Sequence, residues 1–428
     1  MILKQQGYQT AWIGKNHVPV GQNGYTGGYM ESTFDYWYGN HNHSCFYPKE
    51  NRLFGAMYKN AKLDTQVEIF EEGALNFLDP QAEFIESAHY PLIYRDKNKP
   101  FCMCVTFNLP HDAGTETMQL RETDDEIYKT LYRDKAFLFN PPATYIAYED
   151  IIEPRLPRDL YSGKYIPSYD YVKTPESLRE RQIRISQTIT GVDRFIGHVI
   201  EKLKELDIYD NTIIVFSTDH GIHHGEHGIG GKCFLYEEDL KIPMIIFDPR
   251  SEVKNYRVKE MVVVEDLAPT ILDLVGLDIP DHMQGNSLKD LMSGKEVAWR
   301  DEILLEQMLD RQNYPKSEGI RTKDWKYIRY FKRTEDPNDE SSLKWAIDDY
   351  TEFLLNSWDP EYKNVAYEEL YDLVNDASEI TNLANNPEYA DILEQFRKRM
   401  PGLIKEFSLP NHEERILDLP RTARNNFK

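Results

Sequence analysis

Cysteine is scarce in this chain, four in 428 residues, and the four make no metal-binding or redox pattern. Cys45 and Cys233 stand alone, and Cys102 and Cys104, two apart in an apolar run, read as core thiols on one face of a strand. Positive charge is also short: 50 Lys and Arg against 72 Asp and Glu give a formal net charge of -22. That balance argues against general nucleic-acid binding, which needs a basic surface. An anionic substrate would have to meet positive charge concentrated in its pocket. No apolar run approaches the roughly 20 residues that span a bilayer, and no signal-peptide pattern opens the sequence. Internal repeats and low-complexity tracts are absent as well. The length suits one large domain with a smaller one.

What is present alternates. Residues 1–14 read as the end of a helix, a turn at Gly7 and a strand over 8–14. Glycine-rich residues 19–30 read as loop. Helical spacing runs from Thr65 to Phe77, and Pro100–Phe107 holds a buried strand. Residues 112–172, rich in proline and tyrosine, read as a long irregular excursion over the active face. A long helix starts at Thr174, with Pro175 and Glu176 suited to its first turn. Its stripe of Ile185, Ile189, Val192, Ile196, Val199, Ile200 and Leu203 predicts a core face. Strands follow at 212–217 and 242–247, and a helix at 266–276 stops on a glycine. This order predicts an α/β fold, a mostly parallel central sheet covered by helices on both faces. After about residue 290 the composition changes. Strands at 302–306 and 325–331, with Gly319–Thr322 between them, a surface loop at 333–345 and an amphipathic helix at 386–406 suggest a smaller α+β subdomain. The expected division is therefore 1–290 and 291–428.

Three strand ends carry candidate chemistry. The apolar run Thr212–Ser217 stops at Asp219 and His220, and a glycine-dense loop with His223, His224, Glu226, His227 and Lys232 follows. Lys15 and His17 close the first strand, and His111 closes the strand near residue 107. In α/β proteins chemistry collects where buried strands end. A histidine-rich loop is often only solvated surface, and four histidines could form a zinc cluster at helical spacing. Five glycines between Gly221 and Gly231 argue against a helix there. Lysines and imidazoles can donate to a tetrahedral oxyanion, and Asp219 is a hard ligand for a divalent cation.

These residues, in this order, resemble the type I sulfatases of the alkaline-phosphatase superfamily. Leu3 to His17 resembles the family's Leu-x-x-x-Gly-Tyr-x-Thr-x-x-x-Gly-Lys-x-His block, and Phe107–His111 its Pro-His block. Ser217–Gly221, Gly225–Gly228 and Lys232 resemble the second metal and substrate block. Val264–Gly276 with Met283–Leu288, then Arg321–Ile328 and Glu369–Asp376, resemble the later segments. The resemblance implies an alkaline-phosphatase-like fold and hydrolysis of carbohydrate or aryl sulfates. It implies that Asp219 and His220 hold a divalent cation, usually calcium, and that Lys15 and Lys232 bind the sulfate oxygens. His17 would serve as general base, while His111 and Lys232 would contact the sulfate and help protonate the leaving alcohol. His223, His224 and His227 receive no role; rim or structural positions are expected for them.

The sequence departs from the family at its nucleophile. The formylglycine motif, Cys/Ser-x-Pro-x-Arg, is absent: Cys45-Phe-Tyr-Pro-Lys49 misplaces the proline and Ser408-Leu-Pro-Asn-His412 ends in histidine. The two adjacent aspartates of the family's first strand are absent too. The reading is of a chain that begins after that strand, binds calcium weakly, is poorly soluble or unstable, and lacks turnover as it stands. A parent protein with a signal peptide would be periplasmic or secreted. Hydrolysis of phosphodiesters or phosphonates, and binding of sulfated glycans without catalysis, are the alternatives.

Overall fold

The computed structural model describes residues 2–16, 31, 33–41, 45–52, 55–79, 92–111, 113–114, 118–151, 155–157, 160, 172–307, 316–331 and 365–407. The chain divides into two compact units, one of Met1–Pro141 with Pro175–Thr212, the other of Pro142–Thr174 with Ile213–Leu419. No helix among the described residues is long and apolar enough to cross a membrane.

In the first unit a helical turn, α1 (Ile2–Gln5), ends at Gly7, whose φ of +87° only glycine adopts freely. β1 (Gln9–Asn16) follows and is the middle strand of a parallel sheet, flanked by β2 (Tyr36–His41) and β3 (Phe101–Thr106). α2 (Gln66–Leu78) buries Val67, Phe70, Ala74 and Phe77 at helical spacing. Phe70 and Phe77 set their rings 5.6 Å from Phe107 and 6.0 Å from Phe101. Odd-numbered residues of β3 therefore face the helix, as the two-residue period of a strand requires. Cys102 and Cys104 share the opposite parity, on one face of the strand, and are partly buried like the rest of β3.

α3 (Pro175–Glu205) departs from the stripe read in the sequence. Its buried side is Leu178, Ile183, Gln187, Thr188, Gly191, Phe195 and Leu203, and Ile189 is half-exposed. Partners decide this. Gln187 donates to the Leu131 carbonyl at 2.8 Å, and Gly191 admits Tyr128, whose Oη would lie 2.5 Å from any Cβ there.

In the second unit β4 (Ile214–Ser217) pairs with β7 (Met244–Phe247) in antiparallel sense, a local exception to the parallel order. Between them lie a small hairpin, β5 (His223–His224) with β6 (Gly230–Gly231), and a helical turn, α4 (Glu237–Leu240). α5 (Leu267–Leu274) stops at Gly276, φ +75°. Four antiparallel strands then form one sheet in the order β11-β10-β9-β8: β8 (Glu302–Gln307), β9 (Ser317–Thr322), β10 (Trp325–Phe331) and β11 (Val365–Asp372). The segment Gly319–Thr322, expected to connect two strands, is itself part of β9. Gly319 fits there because a Cβ would lie 2.6 Å from the Tyr327 carbonyl. α6 (Ala390–Phe407) packs Leu393, Met400 and Leu403 on Ile320, Tyr327 and Leu370 of this sheet.

Candidate functional site

β4 delivers its chemistry where the backbone leaves the sheet. Asp219 is an exposed carboxylate whose Oδ1 accepts from the His220 amide at 3.1 Å. His220 Nδ1 lies 2.7 Å from the Gly221 carbonyl. A carbonyl only accepts, so Nδ1 carries the hydrogen and the Nε2 lone pair is open to a donor or a cation. Lys232 Nζ takes that place, donating to Nε2 at 3.0 Å. Asp219 Oδ2 is 3.3 Å from the same nitrogen. A carboxylate, an imidazole and an ammonium thus meet at one strand end.

The hairpin makes this meeting possible. His223 pairs with Gly231 and His224 with Gly230, so the chain doubles back and returns Lys232 beside His220, twelve residues earlier. The tip is turned by Gly225 (φ +90°), His227 (φ +57°) and Gly228 (φ +69°). Tyr145 lies against Gly225, with no room for a Cβ, which would be 2.4 Å from its ring. The Ile146 amide donates to the Gly225 carbonyl at 3.0 Å, and the His227 amide to the Thr144 carbonyl at 2.8 Å. His223 and His227 are buried, not at a rim. His223 Nδ1 is 3.0 Å from Asp239 Oδ1, and the His227 ring lies 5.4 Å from that of Tyr236.

Gly221 is the tightest point. A Cβ there would lie 1.8 Å from the Glu238 carbonyl oxygen, backbone that cannot swing aside. Gly221→Ala is expected to push the strand end off α4 and lower stability by about 1–3 kcal/mol, the usual cost of overpacking. Thermal melts of the two proteins check this; equal midpoints would show that the contact is not tight.

Behind the hairpin, the residues after Lys232 are anchored to the C-terminal sheet. Tyr236 Oη donates to Glu369, with both carboxylate oxygens at 3.0 Å, and Tyr330 Oη donates to it at 2.9 Å. Lys326, fully buried, pairs with Glu237 at 2.8 Å and Glu379 at 2.7 Å. Burial alone would raise the Glu237 pKa, but Lys326 and Arg321 outweigh it and hold the carboxyl at about 2. Burial dominates at Glu379, whose pKa is raised.

In the first unit Lys15 lies within β1, opposite Asn40 of β2, rather than after the strand. Gly14 just before it has φ +94°, and a Cβ there would lie 2.3 Å from the Thr106 carbonyl. Thr106 Oγ1 donates to the Lys15 carbonyl at 2.5 Å. His111 is exposed on the turn that follows β3. That turn is pinned by Gln66, whose Oε1 accepts from the Asn108 amide at 2.8 Å and the Leu109 amide at 3.2 Å. His17 lies outside the described residues.

Gln66, Tyr145 and Asp239 were missed in the sequence. Only Asp239 left a signal there, as a carboxylate beside apolar residues leading into β7. Asp219 and His220 supply two cation donors, and among the described residues no group of three or more His, Cys, Asp or Glu side chains could hold a metal ion. Calcium takes six to eight oxygen ligands, so these two residues alone could not enclose it.

The parallel β2-β1-β3 sheet, the helices beside it and the separate antiparallel sheet make an α/β fold of the alkaline-phosphatase type. The sulfatase family model matches residues 1–277, and the model described as N-sulphoglucosamine sulphohydrolase, C-terminal, matches 225–343. This chain belongs to the sulfatase family, whose members are sulfuric ester hydrolases. It is 26% identical over 97% of its length to an N-acetylglucosamine-6-O-sulfatase of Bacteroides thetaiotaomicron, covering 74% of that protein. An arylsulfatase of Clostridium perfringens is 28% identical over 76% of the chain, which spans 56% of it. Among solved structures, a protein in complex with its substrate D-glucosamine-2-N,6-O-disulfate superposes with a TM-score of 0.55 at 23% identity, over 94% of this chain and 81% of that one. A phosphonate monoester hydrolase of Agrobacterium radiobacter gives 0.58 at 17%, over 94% and 79%. At these identities the structural likeness concerns the fold.

Proposed function

We propose that the chain recognises sulfate esters of sugars or aryl alcohols, with its lysines supplying the charge that an acidic protein otherwise lacks. The observation that carries this reading is the Lys232–His220–Asp219 cluster at the end of β4 in a sulfatase-family chain. Displacement at sulfur needs neutralisation of the sulfate oxygens, a nucleophile and a proton for the leaving oxygen. Lys15 and Lys232 serve the first need, and His111 with Lys232 the last. His17 serves as base to the nucleophile. Asp219 and His220 would hold a divalent cation, His220 through Nε2 once Lys232 turns from it to the sulfate, and the cation would add positive charge there. A sugar substrate is supported by the names of the relatives, which include a sulfatase of N-acetylglucosamine. The 428 residues hold no Cys/Ser-x-Pro-x-Arg nucleophile motif, and binding of such esters by these residues without turnover is part of the proposal.

Calorimetry with N-acetylglucosamine 6-sulfate, alongside assays of 4-nitrophenyl sulfate and an aryl phosphonate monoester, tests this. Saturable binding without sulfate release is the expected result. Sulfate release abolished by Lys15→Ala would overturn the binding-only part. Preferential phosphonate hydrolysis, or no binding at all, would overturn the substrate class.

A further inference from the structure

We infer that Asp239 is a positioning residue for the strand-end site, holding His220 and Lys232 at their working separation with His223 as its partner. For what the site does, this rests on the sulfate-ester reading; the clamp itself rests on geometry. Asp239 is almost wholly buried and receives three hydrogen bonds from the hairpin segment. Its carbonyl accepts from the Gly221 amide at 2.8 Å, directly after His220. Its Oδ2 accepts from the Phe234 amide at 2.7 Å, two residues after Lys232. Its Oδ1 faces His223 Nδ1 at 3.0 Å, on the strand whose partner, Gly231, precedes Lys232. One residue therefore ties down the chain on the far side of each site residue.

Two further observations fit a clamp. Cys233, between Lys232 and Phe234, is held at φ +75°, a left-handed conformation unfavourable to a side-chain-bearing residue. Such a conformation persists only where neighbours over-determine it, and the Phe234–Asp239 bond is one such constraint. Burial alone would lower the pKa of His223, but the Asp239, Glu238 and Glu226 carboxylates outweigh it and the net direction is upward. The His223 Nδ1 contact gives the Asp239 carboxylate a fixed orientation that a lone carboxylate would lack. Neither residue takes a part in the chemistry proposed above, so their burial in the hairpin is otherwise unexplained.

The test uses the full chain with Asp239→Ala, Asp239→Asn and His223→Asn. Asparagine at 239 keeps an acceptor for the Phe234 amide and loses the charge. Asparagine at 223 places its amide N–H near the former Nδ1. Two readouts are taken: affinity for N-acetylglucosamine 6-sulfate, and the side-chain nitrogen shifts of His220, which report its Nδ1–H tautomer and the Lys232 bond at Nε2. Asp239→Ala is expected to weaken binding by about tenfold or more and to erase the single-tautomer signature of His220. Asp239→Asn should fall between it and the parent, and His223→Asn should stay within about threefold of the parent. Should the alanine variant fail to fold, Asp239→Asn decides alone. Parental affinity and parental His220 shifts in a folded Asp239 variant would overturn the assignment. If the parent chain does not bind the sulfated sugar, the sulfate-ester reading fails, while the His220 shifts still decide the clamp.

Discussion

Lys232→Met is expected to weaken binding of a sulfated sugar by about 10- to 100-fold, matching loss of a charge-assisted hydrogen bond worth about 1.5–3 kcal/mol. The ammonium is the one cation that the hairpin returns to the His220 side chain, 3.0 Å from Nε2. Methionine fills similar space without charge or donor. The fold should survive, because the group that Lys232 donates to sits beside the exposed Asp219 rather than in a sealed core. Melting temperature should therefore stay close to the parent while affinity collapses, and that separation identifies a binding role. Lys232→Arg keeps the charge but replaces a compact ammonium by a planar fork, so partial recovery is expected. The parent's affinity should fall as salt is added, through screening of the charge, and the methionine variant's should respond less. Calorimetry at two ionic strengths provides the measurement. Unchanged affinity in Lys232→Met would remove this lysine from the site.

The largest effect on stability is expected from Lys326→Met. Lys326 is fully buried between Glu237 and Glu379, and removing it strands two carboxylates in the interior of the second unit. Breaking a buried pair in this way costs about 3–5 kcal/mol. The pH dependence gives the mechanism. Glu237 is depressed from an ordinary 4.5 to about 2. A depressed carboxylate contributes stability that is fully present above its unfolded pKa and is lost as pH falls through the folded one. A shift of that size corresponds to roughly 3 kcal/mol at neutral pH, lost between about pH 4.5 and 2. In Lys326→Met both carboxyls should titrate at higher pH than in the parent, even though Arg321 remains 3.3 Å from Glu237. Protonation then relieves their buried charge, so the gap between variant and parent should be widest near neutrality and narrow below about pH 5. Chemical denaturation across pH 4 to 8 measures it. A gap independent of pH would show lost packing rather than lost pairing.

These two lysines also mark where sequence reading succeeded and where it stopped. Lys232 was legible because a glycine-dense loop after a buried strand, with Asp219 and His220 at its start, is a local pattern. Lys326 carried no such signal; it sits in an apolar strand segment where a lysine would be expected to point outward. Its burial follows from Glu237 and Glu379, which are far away in sequence.

The sequence by itself determined the main element types and the family. β1, β3, α2 and α3 fall close to their expected bounds, since apolar periodicity and glycine stops are local physical signals. Only the tertiary structure decided partners and register. It made β4 and β7 antiparallel, turned Gly319–Thr322 into part of a central strand, chose which face of α3 is buried, and put Asp239 beneath the hairpin. It also decided that Lys232 meets His220, through a two-residue ladder between His223–His224 and Gly230–Gly231. Periodicity records which side of an element is apolar. It does not record which distant carbonyl, carboxylate or ring will occupy that side, because those contacts arise from closure of long loops rather than from neighbours along the chain.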